Sequence, residues 1–349
     1  MNGMAELLLI YKINPWKLFD IVEVGYLCIW RRNLQMNYYV LCPAQIESGG
    51  PELAHQMCHE LNSIGRNAYM YYIKDNRKEP VDMESSAKYK KYETLHVIDI
   101  EDVEQKDSVV IINEGSTPWA QVLQDCRKVL WWMSVDNYIL ATQEQNLEDI
   151  KREIELHLVQ SHYAYNYLIK VGVPEEKIMY VSDYIADKYM MKIENEISRM
   201  DIALYNPKKG LQNVLPLMER TAWLKWIPLI NLSEEDMIAY MHISKLYVDF
   251  GNHPGKDRIP REAAVCGCCV VTNKEGSAAY YEDVPIPEEY KFENLTEQYD
   301  QAAELLRNIC DNYGVRVQDF EKYRQVIRTE KNKFSDDVMT MVKYFEEAK

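Results

Sequence analysis

The chain has 349 residues, 47% apolar and 11% aromatic. That is enough for two domains with buried cores, and 13 Gly and 13 Pro exclude a collagen-like or linker protein. Forty Lys+Arg against 55 Asp+Glu leave a formal net charge of −15; such a field repels a phosphate backbone, so no nucleic-acid partner is expected, while a local basic pocket for a small anion stays open.

Residues 1–35 form an N-terminal extension in which apolar runs are broken by charges every few residues. No run reaches the roughly 18 apolar residues that would cross a bilayer, and no secretory signal pattern is present. The segment reads either as an amphipathic lead for a membrane surface or partner, or as non-native sequence before a start at Met36. The second reading is preferred because a clean strand follows Met36 at once. The eight cysteines do not make two separate Cys-x-x-Cys sites of the zinc kind. Several lie in apolar runs where a thiol is a small hydrophobe, which fits a reducing cytoplasm.

From Met36 strands and helices alternate. Tyr38 to Cys42 is a strand, followed by the loop PAQIESGG. The next helix carries Leu53, Met57, Leu61 and Ile64 at helical spacing and stops at Gly65. Strands follow at Ala68–Ile73, Leu95–Ile98, Val109–Asn113, Val129–Met133, His157–Gln160 and Ile178–Val181. A helix over Asn146–Leu156 has Asn146 and Asp149 at capping-box-like spacing, and Ser161 caps a helix over Tyr163–Lys170. The charged stretch from Asp187 to Met200 sets a domain boundary near residue 190.

The pattern then restarts with strand Ile202–Tyr205, the turn NPKKG and a helix from Gly210. Strands Trp226–Ile230, Leu246–Phe250 and Cys268–Thr272 follow. A helix capped by Ser233 and one near Pro260–Cys266 lie between them. The chain closes with helices over Leu295–Tyr313 and Val317–Glu347. This alternation predicts an α/β protein with mostly parallel sheets covered on both faces.

Ligands of open α/β sheets sit beyond the carboxyl ends of strands. The stretch VDFGNHPGKDRIPREAAV is the most informative. A strand ends at Phe250, and Lys256 and Arg258 precede a helix whose N-terminus offers unpaired N–H groups. Together they suit a diphosphate, and Glu262, read in the first helical turn, suits sugar or ribose hydroxyls. Lys208 and Lys209 stand at a second strand end. Gly49 and Gly50 permit close backbone approach to a ligand. Asp136 and Asn137 lie just beyond the strand that carries Trp131 and Trp132. Alone, the basic pairs read more plainly as solvated turns, Glu262 as a complement to the helix dipole and Gly49–Gly50 as a tight strand–helix turn. His55 and His59 share a helix face without an acid between them, so no metal site is expected. Ser161–His162 lacks a nucleophile elbow, so hydrolase chemistry has no support.

Together these residues resemble the GT-B glycosyltransferases, in particular the retaining, group-1-like enzymes of bacterial surface polysaccharide synthesis. The resemblance runs from Met36 to about Thr272. It is carried by SGGPELAHQM, HLVQSHYAYNYLIKVGV with YVSDYI, ALYNPKKG, and GKDRIPREAAVCGCCVVTNKEGSA. It implies two Rossmann-like domains facing across a cleft. Residues 36–190 would form the acceptor-side domain, 191–330 the nucleotide-sugar donor domain, and 331–349 a C-terminal helix crossing back to the first domain.

The resemblance further implies catalytic roles for Glu262 and Arg258. Lys208, Lys209, Lys256, Gly276, Ser277 and Ala278 would bind the donor diphosphate, and Gly49, Gly50, Asp136 and Asn137 would form the acceptor side. The implied reaction moves a sugar from a nucleotide-diphosphate donor to a saccharide or lipid-linked acceptor, with retention and with neither metal nor cofactor. The implied location is cytoplasmic, with peripheral contact at the inner membrane face through such an acceptor. The chain departs from the family pattern at Pro254, where an acid is usual eight residues before Glu262, and at Leu204, where an Arg is usual. Those departures support a second reading, a non-catalytic GT-B-like accessory protein that stabilises a partner transferase. A third reading is a GT-B-type epimerase.

Overall fold

The computed structural model describes residues 36–74, 81, 85–191 and 198–347. The N-terminal extension therefore lies outside the described residues, as do residues 192–197 of the charged stretch that sets the domain boundary.

The first domain is built on seven parallel strands. They are β1 (Asn37–Pro43), β2 (Asn67–Ile73), β3 (His96–Val97), β4 (Ser108–Asn113), β5 (Arg127–Trp132), β6 (Leu156–Val159) and β7 (Ile178–Tyr180). Their order in the sheet is β3-β2-β1-β4-β5-β6-β7. The strands read as continuous apolar runs because both faces are covered. Tyr38, Val40, Val109, Ile111 and Trp131 join the cluster on one face, and Tyr39, Leu41, Val110, Ile112 and Trp132 the cluster on the other.

The second domain holds β8 (Met200–Tyr205), β9 (Lys225–Pro228), β10 (Ser244–Asp249), β11 (Cys269–Asn273) and β12 (Lys291–Phe292), in the order β12-β11-β10-β8-β9 and again parallel. Both sheets reverse their winding once. The switch point falls between β1 and β4 in the first and between β8 and β10 in the second, and such points open crevices for ligands at the carboxyl ends of the strands.

Helices of eight residues or more are α1 (Gly49–Ser63), α2 (Val135–Thr142), α3 (His162–Lys170), α4 (Leu211–Arg220), α5 (Glu234–Ile243), α6 (Arg258–Val265), α7 (Leu295–Asp311) and α8 (Glu321–Glu347). Gly65 follows α1 at φ +79, the left-handed stop that its residue type suits. Ser161 accepts the Ala164 amide, and Ser233 both accepts the Asp236 amide and donates to the Asp236 carboxylate. Asn146 does not cap its helix. Its side chain instead accepts from the Tyr138 hydroxyl and donates to Thr117, which holds two loops together.

Helix α8 joins the domains. Tyr323 and Ile327 on its first half pack into the second core, while Phe334, Val338, Met341, Val342 and Phe345 pack into the first. Its 27 residues span about 40 Å. No helix among the described residues is long and apolar enough to cross a membrane.

Candidate functional site

Loops from both switch points meet around one cavity of about 470 Å³. The first domain contributes Ser48, Gly49 and Gly50 after β1, Glu114 after β4, and Met133, Ser134 and Asn137 after β5. Gln160 and Asp183 complete that wall. The second domain contributes Lys209 after β8 and residues 252 and 254–258 after β10. The walls are tied by backbone. The Val135 amide donates to the Pro254 carbonyl at 3.0 Å, and Ser134 bridges Gly255. A Cβ on Gly255 would lie 1.9 Å from the Met133 carbonyl oxygen, so no side chain fits there. Asp283 reaches from the second domain to the start of α3, where its carboxylate accepts the His162 and Tyr163 amides at 2.7 and 3.1 Å.

The cations of the cavity are not bare. Lys209 Nζ lies 2.8 Å from Asp257 Oδ1. Lys256 Nζ lies 2.9 Å from Glu330 and 3.7 Å from Asp183, and donates to the Ser182 hydroxyl. Arg258 reaches across the cavity to Glu52 at 2.6 Å. Burial alone would raise the Glu52 carboxyl, but Arg258 and Lys91 overcome it and hold it at about 2. Behind these, Arg261 is fully buried between Asp183 at 2.6 Å and Glu330 at 2.7 Å.

The loop after β10 is braced from within. His253 sits between Asp257 Oδ2 and Asn273 Oδ1, each at 3.1 Å. Burial disfavours its charge, but Asp257 and Asp249 outweigh burial and raise its pKa. Asp249 accepts from the Tyr247 hydroxyl and the Gly251 amide. Asp249, His253 and Asp257 lie close enough to ligate an ion, yet each already has hydrogen-bond partners that satisfy it without one.

Gly49, Gly50, Asn137, Lys209, Lys256 and Arg258 therefore share one cavity wall or the other. Asp136 stands at its edge, accepting from Tyr163 at 2.6 Å and from Asn252 at 3.5 Å across the domain boundary. Lys208 is brought elsewhere. Its amide donates to the Asn206 side chain and its own side chain projects into solvent.

Glu262 differs from its expected place. Helix α6 begins at Arg258, so Glu262 falls in the second turn, and its carboxyl is buried behind Arg258 with a 3.9 Å approach. Burial pushes it up to about 7 against the pull of Arg258 and Arg261. Gly276, Ser277 and Ala278 do not reach the cavity either. The Ser277 amide donates to the His253 carbonyl at 2.8 Å, its hydroxyl donates to the Gly255 carbonyl at 2.6 Å, and the Ala278 amide donates to Glu275. With the Ser277 amide and hydroxyl spent in this way, the turn supports the β10 loop from behind.

Sequence reasoning missed Glu52, Glu114, Gln160, Asp183, Arg261 and Glu330. Glu114 carried a usable signal, since it directly follows the apolar run that forms β4. Glu52 is tied to Arg258, and Asp183 and Glu330 to Arg261, by partners 69 to 206 residues away, and Gln160 is simply the residue after β6 that meets the cavity.

Among solved structures the chain is similar to a glycosyltransferase from Rickettsia africae ESF-5, with TM-score 0.65 and 11% identity over 90% of this chain and 100% of that one. It is also similar to Anabaena HepE in complex with UDP-glucose, with TM-score 0.63 and 12% identity over 90% and 99%. Sucrose-phosphate synthase from Thermosynechococcus elongatus gives TM-score 0.62 and 12% identity over 90% and 99%. At such identities the likeness is one of fold, and the fold is that of the GT-B glycosyltransferases, two Rossmann-like domains facing across a cleft. No family model and no curated protein matches the sequence.

Proposed function

We propose that this protein transfers a sugar from a nucleotide-diphosphate donor to a saccharide or lipid-linked saccharide acceptor, in surface polysaccharide synthesis. The observation that carries this reading is the single cavity at which the switch points of both sheets meet. Its second-domain wall combines Lys209, Lys256 and Arg258 with the N-terminus of α6.

Breaking the anomeric C–O bond leaves charge on the departing diphosphate. Fixed cations and helix N–H groups aimed at that charge stabilise it without a metal, each removable donor being worth about 3 kcal/mol. The ligand must then draw Lys209 and Arg258 from Asp257 and Glu52. The first-domain wall, with Gly49, Gly50 and Asn137, faces the acceptor. The similar HepE structure holds UDP-glucose, which makes a UDP-sugar the first donor to try. The cytoplasmic location and contact with a membrane through a lipid-linked acceptor belong to this proposal. The retention implied by the sequence resemblance rests on that resemblance alone.

The ion pairing of every cation on the donor wall favours one other reading, a non-catalytic partner protein that keeps the fold without the ligand. A thermal-shift panel of UDP-glucose, GDP-mannose and ADP-glucose separates the two. A donor present at 100 times its Kd stabilises the native state by about 2.7 kcal/mol. At least one donor is expected to raise the melting temperature, and a flat response to all three would support the non-catalytic reading.

A further inference from the structure

We propose that His253, as an imidazolium, is the positioning residue that lets Lys209 leave Asp257 for the diphosphate, and that donor binding therefore takes up a proton from solvent. This inference rests on the sugar-transfer reading and concerns the same donor wall.

The groups involved stand at the ends of three neighbouring strands, for β8 and β11 flank β10 in the second sheet. Lys209 follows β8, Asp249 ends β10, His253 lies in the loop after it, Asn273 ends β11, and Asp257 stands immediately before α6. His253 is 1% exposed and lies behind the cavity wall, so it acts only through its neighbours. Both ring nitrogens meet oxygen. Nδ1 lies 3.1 Å from Asp257 Oδ2, and Nε2 lies 3.1 Å from Asn273 Oδ1 and 4.0 Å from Asp249 Oδ1. An imidazolium donates to both sides, whereas the neutral ring donates to one and sets a lone pair against the other. The other oxygen of Asp257 holds Lys209 Nζ at 2.8 Å. One carboxylate thus bridges the buried imidazole and the lysine of the cavity.

Two acids, Asp249 and Asp257, therefore face two cations, His253 and Lys209. When a diphosphate draws Lys209 away, a charged His253 still offsets Asp257. A neutral His253 would leave both acids buried without a cation, which is costly. The other charged groups around the imidazole are committed elsewhere. Lys256 and Arg261 pair with Asp183 and Glu330, and the Asp283 carboxylate accepts two amides of α3. Tyr323, from α8, is kept neutral by burial. Lys209 also fixes the sign of the effect. It lowers the His253 pKa against the two acids that raise it. Withdrawing Lys209 and bringing in an anion both raise that pKa, so the proton is held more tightly in the complex. Affinity is then steady while His253 is charged in both states. It falls as pH rises through the pKa of the free protein and levels off above that of the complex.

The test uses the full-length chain and whichever of UDP-glucose, GDP-mannose and ADP-glucose most raises its melting temperature. These donors carry no terminal phosphate to titrate near neutrality. Calorimetry gives Kd at about pH 6.5 and about pH 8.5 and, from two buffers of different ionisation enthalpy, the protons taken up. The parent is expected to bind about 10-fold more weakly at the higher pH, the effect of one pKa unit between free and bound states, with proton uptake between the two. His253→Asn should bind like the parent at the higher pH, show no such change with pH and take up no proton. Lys209→Gln should also lose the uptake, because no cation leaves Asp257, and it tests the inference if the His253 variant does not fold. Absence of donor binding to the parent would remove the sugar-transfer reading itself. With binding intact, a parent Kd that does not change with pH, uptake that persists in either variant, or a His253→Asn loss equal at both pH values would overturn the role of His253 alone.

Discussion

Replacing Arg261 by leucine is expected to destabilise the protein by about 3–5 kcal/mol, the loss typical when one partner of a buried ion pair is removed. Arg261 is 1% exposed and Asp183 and Glu330 are 1% and 2% exposed, so none of the three can recover its hydration where it stands. The guanidinium also donates to the backbone carbonyls of Asp257 and Lys256 at 3.1 and 3.0 Å. It thereby joins the segment after β7, the start of α6 and the crossing helix α8. Burial would neutralise Arg261, but the two carboxylates hold it charged. Burial would also raise Asp183, but Arg261 and Lys256 hold it low. Without Arg261, Lys256 alone would face two buried carboxylates. Arg261→Lys keeps one charge but loses the planar fork, so an intermediate loss is expected. Chemical denaturation checks both variants. A stability within about 0.5 kcal/mol of the parent, the range of an ordinary surface change, would show that the network carries no such load.

Arg258→Ala is expected to weaken nucleoside-diphosphate binding by roughly 10- to 100-fold, from about 1.5–3 kcal/mol for a hydrogen bond to a charged group. Its melting temperature should change little by comparison with the Arg261 variants. Glu52→Gln should act in the opposite direction. Glu52 now holds Arg258 at 2.6 Å across the domain boundary, and its neutral replacement releases that cation to the ligand. Titration calorimetry with UDP, GDP and ADP measures both. Unchanged affinity in Arg258→Ala, or weaker binding in Glu52→Gln, would mean that the pair does not compete with the ligand.

The opposite signs expected for Arg258 and Glu52 also mark where the sequence becomes silent. The alternation of strands and helices was legible because each central strand is a short apolar run bounded by Gly, Pro, Asn or Asp. The loops that line the cavity were legible for the same local reason. Gly49–Gly50, Lys208–Lys209 and Lys256–Arg258 each follow such a run. The acids that neutralise those cations were hidden, because Glu52 and Arg258 are 206 residues apart and sit on helices of different domains. Only the closing of the domains brings them together.

Helix starts were harder to read. Pro260 looked like a first helical residue and is the third, since none of the first four amides needs an intrahelical partner and proline costs nothing there. That shift of two residues moved Arg258 onto the helix and took Glu262 out of its first turn. Helix α2 was not anticipated. It starts only because Ser134 accepts the Asn137 amide and because Val135 and Tyr138 find buried places against Trp132 and its neighbours. Gly276, Ser277 and Ala278 were placed by resemblance alone, and the Ser277 amide and hydroxyl are committed to the β10 loop, at His253 and Gly255.

The most direct test is a crystal structure of the protein with the stabilising nucleotide sugar bound. The diphosphate oxygens are expected within hydrogen-bond reach of Lys209, Lys256 and Arg258 at the N-terminus of α6, with Glu52 released from Arg258. A nucleotide bound outside this cavity, or bound within it while those three side chains keep their present carboxylate partners, would contradict the reading of this wall as the diphosphate grip.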